Sequence, residues 1–288
     1  METRVLKMGA AILATIAWAA VFAGCSKLKA GDTFTATTEG VEYQYEIIVS
    51  KMRYVRVVPV SDRLSGDITI PATVSYDGDS FVVTQIGENA FRGCSSITSV
   101  TLPKTLSIIE PSAFAGCTSL QRINTPQPLS EMGDYAFDGC VSLKEFSLDA
   151  SISSLGKGCF RGCSALKTIQ FPSSFTEIPE EAFFGCAGLE EIHCPATVMQ
   201  IGDDAFGECA NVHEIYLDRS VQRIGKRAFA GCGNVASMTC LTATPPVCSA
   251  DTFEGIHPDT PVTVMKSSMD HYKTATGWNH FTNYKGIY

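Results

Sequence analysis

Twelve cysteines and five histidines carry most of the reactive side-chain chemistry in these 288 residues. Seven of the cysteines (94, 117, 140, 163, 186, 209 and 232) recur every 23 residues. Sulfur at one repeated position allows a disulfide or metal ladder, or a row of buried thiols acting as small apolar fillers. Coils about 4.8 Å apart would hold these thiols with parallel Cα–Cβ directions, which suits strand spacing and fits disulfide geometry poorly. The row therefore reads as packing. Cys159 and Cys163 imitate a redox or metal pair, but Cys159 replaces the Ala of the other copies, and no second pair stands nearby at zinc-finger spacing. Cys194 and Cys240 fall where other copies have Leu or Phe and also read as core, whereas Cys248 has no clear place.

His193 and His213 lie close in sequence to Glu190, Glu191 and Glu214, an arrangement from which a weak divalent-cation site could be drawn. Metal sites need ligands that converge, so exposed polar residues are the plainer reading, and no metal or cofactor is expected. The sequence contains no Gly-x-Ser-x-Gly, no His-Glu-x-x-His, no phosphate-binding Walker loop and no dinucleotide fingerprint. Catalysis is not expected.

Cys25 has a different setting. Arg4 and Lys7 precede an uncharged, mostly apolar run from Met8 to Gly24, which ends in Phe22-Ala23-Gly24-Cys25. Small residues before a cysteine match the lipobox, where the thiol is acylated and cleavage leaves Cys25 first. An uncleaved membrane anchor and ordinary signal cleavage are the alternatives, and all three export the chain. The expected localisation is the cell envelope. Removing residues 1–24 takes away Glu2, Arg4 and Lys7, so the formal charge of −8 becomes −9. An acidic chain without basic runs is not expected to bind nucleic acid, and its expected link to the membrane is the lipid at Cys25.

These residues are positioned by a repeat. Ala90-Phe91-Arg92-Gly93-Cys94 returns with the same spacing through Ala228-Phe229-Ala230-Gly231-Cys232, seven times without an insertion. Ile86, Ile109, Met132, Leu155, Ile178, Ile201 and Ile224 precede each Phe by five residues, and apolar residues follow each final Cys by three and by six. A period in this range marks stacked supersecondary units, none of which covers its apolar face alone. Alternation such as Ile215-Tyr216-Leu217 predicts a very short strand, and Ala-Phe-x-Gly-Cys predicts a tight helical turn.

The expected domains are a signal peptide (1–24), a lipidated tether (25–32) and a β-rich N-terminal cap with the first strand (33–85). Seven repeats (86–246) and a degenerate copy with a C-terminal cap (247–288) follow. Tyr76-Asp77-Gly78-Asp79 reads as a hairpin turn inside the cap, Phe253 as the Phe of the degenerate copy, and 267–278 as a closing helix.

The pattern Ile-Gly-x-x-Ala-Phe-x-Gly-Cys-x-x-Leu-x-x-Ile-x-Leu-Pro, carried by residues 68 to 265, resembles the BspA-type leucine-rich repeats of bacterial surface proteins. The resemblance implies a leucine-rich-repeat solenoid, a right-handed superhelix with a parallel ladder of short strands on one side and helical turns opposite. It also implies surface interaction without a reaction, from an outer-membrane lipoprotein facing the cell surface, and names no ligand. The expected function is adhesion-type binding of a protein or glycan; a structural subunit of an envelope complex and an enzyme with an unfamiliar site are the alternatives.

Residues five and seven after each final Cys flank an inward side chain, so they are expected to point outward from the strand ladder. They include Arg122, Asn124, Glu145, Gln170, Glu191, His193, Glu214 and Tyr216, the candidate ligand-binding set. Glu191 beside Glu214 is locally unfavourable, which a cationic group on a partner would relieve, with Tyr216 as the nearest aromatic anchor.

Overall fold

Each 23-residue unit closes one coil, and successive coils are joined in parallel register. Glu191, Glu214 and Ser237 are aligned across three neighbouring strands, as are His193, Tyr216 and Thr239. The computed structural model describes residues 28–59, 64–127, 129–148 and 150–288, together with the backbone of residues 5–6. The signal peptide and Cys25 lie outside the described residues in all but that fragment. The chain forms a parallel β-solenoid of about nine turns with few helices.

The expected strand ladder is present along one face, the front. Its first part comprises Ser65–Thr69, Ser96–Thr101 and Arg122–Ile123. Its second comprises Glu191–Cys194, Glu214–Leu217, Ser237–Cys240, Val262–Met265 and Tyr284–Ile287. A second ladder, not foreseen from the sequence, runs through Ile108–Ile109, Glu131–Met132 and Ser154–Leu155, then through Glu177–Ile178, Gln200–Ile201 and Arg223–Ile224. Its strands are two residues long because a close crossing of backbones ends them. A Cβ on Gly133, Gly156, Gly202 or Gly225 would come within 2.3 to 2.5 Å of a backbone nitrogen of the preceding coil. Glycine after the buried Ile, Met or Leu lets the coils approach that closely.

The Ala-Phe-x-Gly-Cys segments form turns rather than helices. Ala90 N and Cys94 N donate locally to the Gly87 and Phe91 carbonyls at 3.1 Å, while Phe91 N and Gly93 N donate to Ala113 and Ala115 of the next coil at 2.7 and 2.8 Å. A helix would keep all these donors local. Two left-handed residues per turn prevent it: Gly93 (φ 76°) and its equivalents, and the position two before the Phe, where Asn89, Tyr135, Glu181 and Arg227 have φ between 53° and 56°. The helical turns expected opposite the strands are thus single turns stitched coil to coil.

Inside, eight phenylalanines from Phe91 to Phe253 form one continuous stack, with neighbouring ring centroids 5.1 to 5.9 Å apart and planes within 8° of parallel. Tyr43 meets the first ring edge-on at 6.5 Å, and Trp278 and Phe281 close on the last at 4.8 and 5.2 Å. Beside the rings runs the cysteine row. Each thiol from Cys117 to Cys232 donates to the Phe carbonyl of the preceding coil, at 3.1 to 3.3 Å. No disulfide joins the described cysteines. Burial raises the thiol pKa of Cys140, Cys186 and Cys232 to about 12, so these groups stay protonated.

The caps use the same surfaces. Thr33–Thr38, Val41–Val49 and Tyr54–Val58 pair antiparallel, and Tyr54–Val58 continues in parallel onto Asp79–Ile86. The hairpin between Thr73–Tyr76 and Asp79–Ile86 turns through Asp77 (φ 50°) and Gly78 (φ 80°). At the other end Phe253 stacks on Phe229 as expected of the degenerate copy. The closing helix is shorter than expected, Met269–Thr274 between 3-10 turns at Lys266–Ser268 and Trp278–His280. Cys248 is half-buried, with its thiol on the Thr276 carbonyl at 3.0 Å.

Candidate functional site on the front strand face

Alternation sorts the front residues by side. In Glu191–Cys194 the two outward residues, Glu191 and His193, are exposed, while Ile192 and Cys194 are buried. Strand register then sets outward neighbours beside one another. Glu191 lies next to Glu214, as the sequence led us to expect, but its carboxylate turns between two imidazoles: His193 Nε2 at 3.5 Å on its own strand and His213 Nε2 at 3.6 Å on the next coil. The His193 ring lies 5.6 Å from that of Tyr216. Burial, and after it the Asp218 carboxylate, raises the Tyr216 phenol above its ordinary range. Glu214 makes no ion pair among the described residues.

The front ladder is interrupted. Neither Glu145 to Leu148 nor Thr168 to Phe171 forms a strand. Lys144 N to Gln121 O and Lys167 N to Lys144 O measure 3.4 Å, against 2.9 Å for Gln121 N to Thr98 O and for His213 N to Glu190 O. Two extra rings explain the widening. Phe146 wedges edge-on between Phe137 and Phe160 at 5.2 and 4.8 Å, and Phe171 sits edge-on to Phe183 and Phe206 at 5.6 and 6.4 Å. Most other coils carry aliphatic residues or cysteine at these positions. Added volume just behind the face spreads the coil fronts beyond good hydrogen-bond distance.

Two adjoining depressions open over this stretch. One, of about 430 Å³, is lined by Thr168, Gln170, Phe171, Glu191, His193 and Tyr216, among others. The other, of about 580 Å³, is lined by Arg122, Asn124, Glu145, Phe146, Thr168 and Gln170, among others. Thr168 and Gln170 border both.

Seven of the eight candidate residues line these depressions, and the eighth, Glu214, stands next to Glu191. Asn124 serves the fold as well, because its amide accepts from Leu102 N at 2.6 Å and donates to Leu102 O at 3.0 Å, extending the ladder by one rung. Arg122 stands in one row with Ser99 and Asp67. Hydrogen bonds from Ser99 and Thr98, together with the Arg122 charge, hold the Asp67 carboxyl below its usual range. The sequence did not point to Phe171 as part of this site, and drew His213 to Glu191 and Glu214 only as a weak divalent-cation arrangement rather than as part of the binding set. The available signals were a phenylalanine at an aliphatic position and a histidine 22 residues after Glu191 in a 23-residue repeat. Among the described residues no group of three or more His, Cys, Asp or Glu side chains is arranged to hold a metal ion.

The family profile described as BspA type leucine rich repeat region matches six copies over residues 84–212 and 165–256, more than half of the chain. The chain belongs to the BspA-type leucine-rich-repeat family. No curated protein is similar enough in sequence to count as a relative. Among solved structures, a leucine rich cell surface protein from Faecalibacterium prausnitzii A2-165 superposes with a TM-score of 0.52 at 20% identity, over 88% of this chain and 95% of that one. A leucine-rich repeat protein from Bacteroides ovatus ATCC 8483 gives 0.51 at 22%, over 85% and 75%. At these identities the likeness establishes the BspA-type fold alone. The front depressions are argued from this chain's own residues.

Proposed function

We propose that this BspA-type protein is exported, anchored by lipid at Cys25, and binds a protein segment or glycan through its front face without catalysing a reaction. The observation that carries the binding reading is the depression floored by Phe171 and walled by Glu191, His193 and Tyr216, set in the only gap of the front ladder among the described residues. An apolar floor with aromatic and charged walls is the composition of a recognition hot spot. Glu214 beside Glu191 favours a ligand bearing a cationic group. The two depressions span coils from Arg122 to Tyr216, roughly 20 Å at about 4.8 Å per coil, enough for several residues of extended peptide or a short oligosaccharide. The membrane reading rests on Ala23-Gly24-Cys25 behind an apolar run, and the cell-surface description of the Faecalibacterium protein agrees with export.

Two experiments test the halves separately. Metabolic labelling with fatty acid is expected to mark the wild-type chain and leave Cys25→Ser unmarked; label that persists in the variant refutes the lipid site. Purified protein applied to immobilised matrix proteins and glycans is expected to retain at least one of them, with Tyr216→Ala and Glu214→Ala each weakening that interaction by about tenfold or more. Binding to nothing on the panel, or wild-type binding by both variants, removes the front-face reading.

A further inference from the structure

Residues 29–32 run beside an exposed apolar turn. Gly31 N donates to Ile47 O at 2.8 Å, Ile47 N to Asp32 O at 2.9 Å, and Lys29 N to the Asp32 carboxylate at 2.8 Å. These bonds lay residues 29–32 against the end of the strand Val41–Val49, next to the 3-10 turn Ser50–Met52 that follows it. Met52 is 62% exposed, Val49 40% and Tyr54 36%, and Val49 and Tyr54 are direct cross-strand partners. Arg53 turns the chain with φ 55° and pairs with Asp79 at 2.8 Å while its side chain stays 45% exposed; Lys51 is exposed as well. The other large exposed apolar residues among those described, Val141, Met199, Val247 and Tyr288, lie far apart in sequence, without such a cluster. Single exposed apolar residues are ordinary on a soluble surface, whereas three on one turn call for a partner.

We infer that the Val49 to Tyr54 turn is the surface on which the solenoid rests against the lipid bilayer, with Met52, Val49 and Tyr54 entering the interface and Lys51 and Arg53 meeting headgroup phosphates. This rests on the reading of Cys25 as the lipid attachment site. Three residue steps separate Cys25 from Leu28, a reach of at most about 11 Å. The polar layer of one leaflet is roughly 5 to 8 Å thick. A lipid at Cys25 therefore holds Leu28 within about one to two headgroup thicknesses of the hydrocarbon, and residues 29–32, hydrogen-bonded to Ile47, lead directly to the strand end that carries this turn. Its composition, apolar tips with an aromatic phenol and flanking basic groups, is what the water–lipid interface accepts. Once residues 1–24 are removed the formal charge of −8 becomes −9, which leaves little long-range attraction to anionic lipid, so the contact is mainly apolar and depends on the anchor to bring it there.

The test uses full-length precursor processed in a bacterial host, purified and reconstituted into phosphatidylethanolamine and phosphatidylglycerol vesicles containing brominated acyl chains. Met52→Trp is compared with Met199→Trp, which places an indole on an exposed side chain of the repeats, and buried Trp278 supplies a common background. Intact mass of the same samples reports acylation, and thermal melting reports folding. In acylated protein the indole of Met52→Trp is expected to be quenched severalfold more strongly than that of Met199→Trp by bromines about 5 to 10 Å below the interface. Equal, weak quenching in acylated, folded protein overturns the docking turn and leaves the lipid site standing. Absence of the acyl mass overturns both.

Discussion

The interior and the front face of this solenoid are built from the same 23-residue repeat, yet they obey different rules. The interior is closely periodic: the phenylalanine stack runs without a break from Phe91 to Phe253 at spacings of 5.1 to 5.9 Å, and six successive thiols make the same bond to the preceding coil at 3.1 to 3.3 Å. The front face changes from coil to coil and loses its strand pairing from Glu145 to Phe171. Uniform spacing inside allows variation outside, because each coil is held by its rings, thiols and turns even where its front strand is absent.

Changes to the interior are expected to have the largest effects. Folding lifts the thiol pKa of Cys140, Cys186 and Cys232 from 9.0 to about 12, chiefly through burial. A raised folded-state pKa means the stabilisation is fully present below the unfolded value and is lost as pH rises through the folded one. Stability is therefore expected to fall from about pH 9 upward, by as much as about 1.4 kcal/mol per pH unit for each such thiol, which denaturant titrations at pH 7 to 11 would measure. A stability flat to pH 11 would contradict the protonated ladder. Phe160→Ala removes one ring from mid-stack and is expected to cost about 3 to 5 kcal/mol in chemical denaturation.

Cys140→Ser probes the same interior on a finer scale. The Phe114 carbonyl already stands 3.2 Å from Cys140 Sγ, so the hydroxyl inherits an acceptor and the expected loss is only about 1 kcal/mol. Intact mass after alkylation under denaturing conditions checks the ladder itself, since disulfides among these positions would withhold thiols from the reagent. Phe146→Ile acts from the other side. Removing the wedge is expected to let the front strands close, seen as slower amide exchange over residues 144–148, with stability changed by no more than about 1.5 kcal/mol.

How much of this was legible in the sequence follows from the same contrast. Phe, Cys and Ile recur because each faces an identical neighbour one coil away, so the period revealed the stacked coils, the thiol row and the outward residues, and the family resemblance supplied the leucine-rich-repeat solenoid. The second ladder was hidden because two-residue strands such as Glu131–Met132 are too short to show alternation. The left-handed position before Ala-Phe was hidden because it holds Asn89, Ser112, Tyr135, Glu181, Asp204 and Arg227, residues that share no side-chain signal. At the candidate site, pairing Glu191 with Glu214 required only the period, whereas the turn of Glu191 toward His213 and the bond of Asn124 to Leu102 depend on side-chain rotamers that no pattern records. The gap was written as Phe146 and Phe171, but its consequence depends on volume in three dimensions.

If the interior carries stability while the front depression carries recognition, one variant should separate the two. Affinity and melting temperature are measured together for Tyr216→Ala, using the matrix or glycan component that retains the wild-type protein. The prediction is an affinity weakened by about tenfold or more, with stability unchanged to within roughly 0.5 kcal/mol. Unchanged affinity, or a loss of binding matched by a loss of stability, would contradict it.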